Sequence, residues 1–143
     1  MKLNVILLTL LVASLFSAES SPAQVSIGSV SGGTLVEAGS SGNRLESSSS
    51  GEFTVTLGSL TPSASVQISS PTFVSGSTSD PLGTTRIATA NIDGAIITSD
   101  NPSVLASLSI GSTTVLVDMQ VERPTSLPAG TYQYAVSLTV IPD

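Results

Sequence analysis

From residue 52 onward, apolar and polar side chains alternate with a period of two. Phe53, Val55 and Leu57 are separated by Thr54 and Thr56; Ala64, Val66 and Ile68 are separated by Ser65 and Gln67. Ala88, Ala90 and Ile92 repeat the pattern, followed by Val104, Ala106, Leu108 and Ile110, and then by Val115, Val117, Met119 and Val121. The closing run carries Tyr132, Tyr134, Val136, Leu138 and Val140 on one parity, with Gln133, Ser137 and Thr139 between them. Successive side chains of a strand point to opposite faces, so each run predicts a strand with one face inward. Past the first apolar run, no window places apolar residues at helical spacing between caps. Turn formers punctuate the runs: "LTPS" at 60–63, "SDPLG" at 79–83, "IDG" at 92–94, "SDNPS" at 99–103 and "LPAG" at 127–130. Gly, Pro, Asn and Asp belong there because of their backbone preferences and local hydrogen bonds.

Adding Val25–Val30 brings the count to about seven strands. Short half-buried strands at this spacing predict an all-β chain, specifically an immunoglobulin-like antiparallel β-sandwich. One stretch breaks the pattern. Residues 32–51, "GGTLVEAGSSGNRLESSSSG", are rich in Gly and Ser and poor in bulky apolar groups. Their composition predicts a flexible connection or a long hairpin loop.

The first residues differ from the rest. Lys2 precedes the apolar run Val5–Phe16, which is shorter than the roughly 20 residues a spanning helix needs. Small residues follow, and Ser21 and Ala23 satisfy the signal-peptidase rule for a cut after Ala23; a cut after Ser20 is the second choice. Residues 1–23 are therefore expected to be a cleaved signal peptide, with no membrane span left in the product. Residues 24–143 are expected to form one exported domain, in the periplasm, on the cell surface or in the medium. No disulfide can staple it, because the chain contains no cysteine.

Charge and chemistry narrow the function classes. Lys2 and Glu19 fall in the leader, so the remainder keeps Arg44, Arg86 and Arg123 against nine acids and a net charge of −6. Without a basic patch to neutralise phosphates, nucleic-acid binding is not expected. The chain has no histidine and no lysine beyond Lys2, so neither a Ser–His–Asp triad nor a Ser–Lys dyad can be assembled. Zinc and copper lose their usual nitrogen and sulfur donors. Paired carboxylates remain, but sugar-cleaving clefts normally add aromatic rings, which make up only 3% of this chain. The oxygen donors Asn91, Asp93, Asp100 and Asn101 match no calcium-loop spacing and are expected to shape turns. The sequence therefore predicts no catalytic residue, no metal site and no cofactor.

The closing stretch "PAGTYQYAVSLTVIPD" resembles the final strand of exported subunits of the spore coat protein U and chaperone–usher pilin group. Many members of that group carry a disulfide that this chain lacks. The resemblance implies an incomplete sandwich whose groove is filled by a strand from a neighbour. The donor strand would be Val25–Val30, with Val25, Ile27 and Val30 as plugs and Gly28 at the closest approach. Pairing of Val25–Val30 within its own domain is favoured over donation, since it avoids the entropy of association. The expected function is that of an exported, non-catalytic structural protein, a subunit or accessory of a surface fibre, pilus or coat. Its partners would be further copies, or a cell-surface protein, bound through strand edges. A monomeric envelope or extracellular module that binds a polysaccharide or protein is the alternative.

Overall fold

The computed structural model describes residues 6–7 and 25–143. The described residues contain thirteen strands and no helix: β1 (Ile6–Leu7), β2 (Val25–Ser31), β3 (Thr34–Ala38), β4 (Arg44–Ser49), β5 (Gly51–Leu57), β6 (Ser63–Ile68), β7 (Thr72–Gly76), β8 (Thr85–Ile92), β9 (Ala95–Thr98), β10 (Ala106–Ser109), β11 (Gly111–Glu122), β12 (Tyr132–Ala135) and β13 (Leu138–Pro142). All the pairings are antiparallel.

The largest sheet is organised around β11. One edge of β11 pairs with β5 through Gly111–Val117 and then with β4 through Gln120–Glu122. The other edge pairs with β8 through Val115–Glu122, and β9 extends the sheet beyond β8. Outside β5 lies β2; outside β4 lies β3, whose far edge meets the two residues of β1. A second sheet runs β10–β6–β13, and β12 pairs with β7 as a separate ladder.

Several of these strands are halves of longer bent ones. At the junction of β4 and β5, Asp118 and Met119 face the longer run Ser47–Ser50. Serine hydroxyls occupy the gap: the Met119 N–H donates to Ser47 Oγ at 2.8 Å, and Ser50 Oγ donates to Asp118 at 2.7 Å. The second sheet bends in the same way. The Ser69 N–H donates to the Ser137 carbonyl, and the Ser137 N–H donates to Ser69 Oγ, both at 2.9 Å. A serine side chain thus satisfies backbone groups that a bend would otherwise strand.

Residues 32–51, expected as a flexible connection or long loop, therefore hold two paired strands, β3 and β4. The reason is visible at Gly33. An added Cβ there would fall on the Ser49 carbonyl oxygen and stand 2.6 Å from the Gly51 nitrogen. Glycine and serine are present because two bent strands cross closely, not because the segment needs freedom. Replacing Gly33 with alanine is expected to cost about 1–3 kcal/mol through overpacking, read as a lowered urea midpoint. Gly28→Ala, whose Cβ would meet Thr54 at an ordinary 3.6 Å, serves as the tolerated control.

Inward positions of both sheets and of the β7–β12 ladder form one hydrophobic core, and every buried apolar side chain in it lies between Leu35 and Val140. The alternation read from sequence places Phe53, Val55, Leu57, Ala64, Val66, Ile68, Ala88, Ala90, Ile92, Val115, Val117, Met119 and Val121 inside. It fails at two residues. Val104 and Ile110, expected to share a face with Ala106 and Leu108, are exposed. Strand β10 is only four residues long; Val104 closes a turn onto the Asn101 carbonyl, and Ile110 precedes Gly111 at φ 108°. The number of separate strands also exceeds the expected seven, because bends split the long runs and the β8–β9 hairpin adds another. Asp93 (φ 50°) and Gly94 (φ 89°) make that hairpin turn, and the Asn91 carboxamide accepts the Gly94 N–H.

Candidate functional site

The residues singled out from sequence lie on two strand systems. Val25, Ile27, Gly28 and Val30 are on β2, which pairs with β5 of the same chain: Val25 faces Leu57, Ile27 faces Val55 and Val30 faces Phe53. A register shift between Ile27 and Val30 makes a bulge, which twists and blunts the edge. Val25 packs against the core, and Ile27 is half-buried. Gly28 is not a point of crowding in this sheet; Gly33 is.

Tyr132, Tyr134, Val136, Leu138 and Val140 all face inward and are buried. They lie along β12 and β13, which pair with β7 and β6 on one edge each among the described residues. Val136 and Ser137 sit at the bend between them. Strands β2, β9 and β10 are likewise paired on one edge only within the described residues. Beside β12 lies β1; the edges of β2, β9, β10 and β13 carry backbone N–H and C=O groups without ladder partners among the described residues and can accept another strand.

A second feature was not found from sequence. Asp80, in the connection between β7 and β8, is the hub of a buried ionic cluster. It accepts hydrogen bonds from Arg86 Nε at 2.6 Å, Arg123 Nε at 2.9 Å and the Tyr134 hydroxyl at 2.7 Å. The side chains of Asp80 and Arg123 are 3% and 2% exposed. Arg123 also donates to Thr78 Oγ1 and to the Thr78 carbonyl, and its guanidinium carbon lies 4.7 Å from the centre of the Tyr132 ring. The Tyr132 hydroxyl donates to the Pro128 carbonyl at 2.8 Å. The Arg123 backbone reaches across to Asn43, accepting from its amide and donating to its carbonyl. One cluster thus ties together the turn after β3, the loops before β8 and before β12, and the start of the last strand system.

Its electrostatics follow from burial and pairing. Burial alone would push the Asp80 carboxyl up; hydrogen bonds from Tyr134, Arg86 and Arg123 outweigh that and hold it below the ordinary carboxylate value. Burial pulls Arg123 down, but Tyr134 and Asp80 more than compensate and raise it. Tyr134 is pushed well up by burial and by the adjacent carboxylate. The carboxylate, guanidinium and phenol are each held in the ordinary charge state by their partners, which suits a staple. A signal for this cluster exists in the sequence. Arg86 shares parity with Ala88, Ala90 and Ile92, and Arg123 with Val117, Met119 and Val121, so both were due to point inward and needed a buried acid.

The oxygen donors weighed for calcium have local work. Asn91 and Asp93 shape the β8–β9 turn, and Asn101 accepts from Ser103 Oγ at 2.8 Å. Among the described residues no three acidic side chains are grouped to hold a metal ion. Two shallow depressions are aromatic-free: one of about 280 Å³ is lined by Glu46, Ile87, Thr89, Asp118, Met119 and Gln120, and one of about 320 Å³ by Gln67, Ile68, Ser69, Pro102 and Thr139. Among the described residues no helix is long and apolar enough to cross a membrane. No protein-family model matches the chain, and no curated protein matches it.

Proposed function

We propose that this chain is an exported, non-catalytic structural protein that acts through strand edges as a subunit or accessory of a surface fibre, pilus or coat. The observation that carries this reading is the one-sided pairing of β13: Leu138 and Val140 are buried and β6 pairs it on one edge, yet its far edge has no ladder partner among the described residues.

The order of strands supports an immunoglobulin-like sandwich. Taking bent pairs as single strands, β2–β3, β4–β5, β11 and β8 follow the order A, B, E, D of that fold, and β6–β7 beside β12–β13 follows C, F. Beside β12 lies the short β1, while along β13 the G position, next to F, holds no strand among the described residues. That is the gap the resemblance of the closing strand to pilin-like subunits implies. The exterior agrees with a structural role: the outward positions of β5 and β11 carry Thr54, Thr56, Ser112 and Thr114. The aromatic-free depressions are ill-suited to stacking a sugar ring.

The test is the assembly state of residues 24–143, which retain every buried core residue found among the described ones. Size-exclusion chromatography with light scattering should give oligomers whose mass rises with concentration, and negative-stain microscopy should show ordered assemblies. A strict monomer at high concentration would sink the proposal and favour a monomeric binding module, to be sought by pull-down from envelope extracts.

A further inference from the structure

Among the described residues, three of the four most exposed large apolar side chains sit on connections at the two ends of the fold: Leu82 at 101%, Leu60 at 66% and Ile110 at 58%. The fourth, Ile96 at 61%, is on β9. Strand β11 fixes which end each belongs to. Gly111, where it starts, faces Leu57 at the end of β5, and Ser109, the last residue of β10, faces Ser63, the first of β6. The β5–β6 and β10–β11 connections therefore cross between the two sheets side by side, carrying Leu60 and Ile110. Glu122, where β11 ends, faces Thr85, so Leu82 stands just beyond the opposite end. Twelve strand residues, about 40 Å, separate the two ends.

Both ends are held firmly. The Thr61 N–H donates to the Gly58 carbonyl at 3.0 Å, and Thr61 is buried. Around Leu82, the Thr84 N–H and hydroxyl both donate to the Pro81 carbonyl, and Arg86 and Arg123 clamp Asp80. A side chain presented on a pinned turn loses little freedom when it binds. Charge also separates the ends. All three arginines of the described residues lie at the Leu82 end: Arg86 and Arg123 share the single acid Asp80, while Arg44 pairs with Glu46 and faces Glu122. The opposite end has Asp143, whose N–H donates to the Ser63 carbonyl, and Asp93 in the β8–β9 turn that points the same way. It has no cation among the described residues.

We infer that the two ends are the halves of a heterologous contact between copies: the Leu82 tip of one copy seats on the Leu60–Ile110 end of the next, and copies stack along the direction of β11. This contact rests on the proposed self-association but lies at the ends of the fold, away from the strand edges. Like-to-like contact is opposed by charge. Two Leu82 ends would bring together two clusters that each hold one cation too many, and two Leu60–Ile110 ends would bring acids together. Head to tail, the arginine-bearing end meets the acidic one. A contact between two different patches leaves a free half on each side, so it grows into a filament unless its rotation closes a ring.

The experiment uses residues 24–143, as in the assembly test above. Leu82→Asp and Ile110→Asp should each weaken association at least tenfold by light scattering, and each should keep the parent's urea midpoint because both side chains are exposed. Mixed one to one, the two variants should form a heterodimer that grows no further, since each supplies the end the other lacks. A mixture that stays monomeric, or association indifferent to both substitutions, overturns the contact. Amide exchange separates it from pairing at β13. The N–H groups of Ser137 and Asp143 point toward β6, so those of Leu138 and Val140 point to the open edge. Assemblies that survive both substitutions while the Leu138 and Val140 amides exchange at least tenfold more slowly than in the monomer would defeat the end contact and leave the strand-edge reading standing. Assemblies that obey both substitutions while those amides exchange as fast as in the monomer would do the reverse.

Discussion

Asp80→Ala is expected to lower the stability of the protein by about 3–5 kcal/mol, because it leaves a buried guanidinium without its carboxylate. Arg123 cannot turn to solvent easily: its side chain is 2% exposed, held against the Tyr132 ring and hydrogen-bonded to Thr78. A domain of this size is stable by about 5–15 kcal/mol in total, so the variant should lose a large part of its resistance to urea. Asp100→Ala, which removes an exposed acid, should stay within about 0.5 kcal/mol of the parent. The same carboxylate gives the stability an acid limb. Its folded-state pKa lies below the ordinary carboxylate value, so its contribution is complete above that value and is lost as pH falls through the folded-state one. Urea midpoints measured from pH 7 down to pH 2 should fall more steeply for the parent than for Asp80→Asn, whose baseline is lower but flatter. Tyr134 acts in the opposite sense. Its pKa is raised, so the phenol's contribution is complete below pH 10.0 and fades as pH climbs beyond it.

Tyr132→Ala is expected to cost a similar amount, about 3–5 kcal/mol, the range for deleting a buried aromatic ring. The ring is fully buried and lies against Gly76, where an added Cβ would stand 2.5 Å from Cδ1. Removing it opens a cavity over that glycine and strips the apolar cover from Arg123. Tyr132→Phe isolates the hydroxyl. It should cost only about 1 kcal/mol, the net worth of the bond to the Pro128 carbonyl. If the two variants were equally destabilised, the hydrogen bond rather than the ring would be what holds this end together. Thermal and urea unfolding of both variants decides the point.

The core was largely legible because a strand's side chains alternate whatever its neighbours are. Tyr132, Tyr134, Val136, Leu138 and Val140 lie inside as their parity requires, and so do Phe53, Val55 and Leu57. Composition misled where it stood in for geometry. The Gly/Ser-rich stretch 32–51 resembles a linker in its residue content, yet Gly33 is a crossing point and Ser47 is a hydrogen-bond substitute at a bend. The ionic cluster was half-legible. The parity of Arg86 and Arg123 announced two inward cations, but Asp80 lies in a turn sequence whose proline and glycine explain themselves locally. Only the fold brings Asp80 to Arg123, 43 residues away, and to Tyr134, 54 residues away.

By itself, then, the sequence determined the all-β class, the inward face of most strands and the absence of histidine and cysteine chemistry, since each depends on residue type or on a two-residue repeat. The tertiary structure decided which strands are neighbours, where the long ones bend, which edges lack a ladder partner among the described residues and which acid meets the buried arginines. Those features come from pairings between residues far apart in the chain, and no local repeat encodes them.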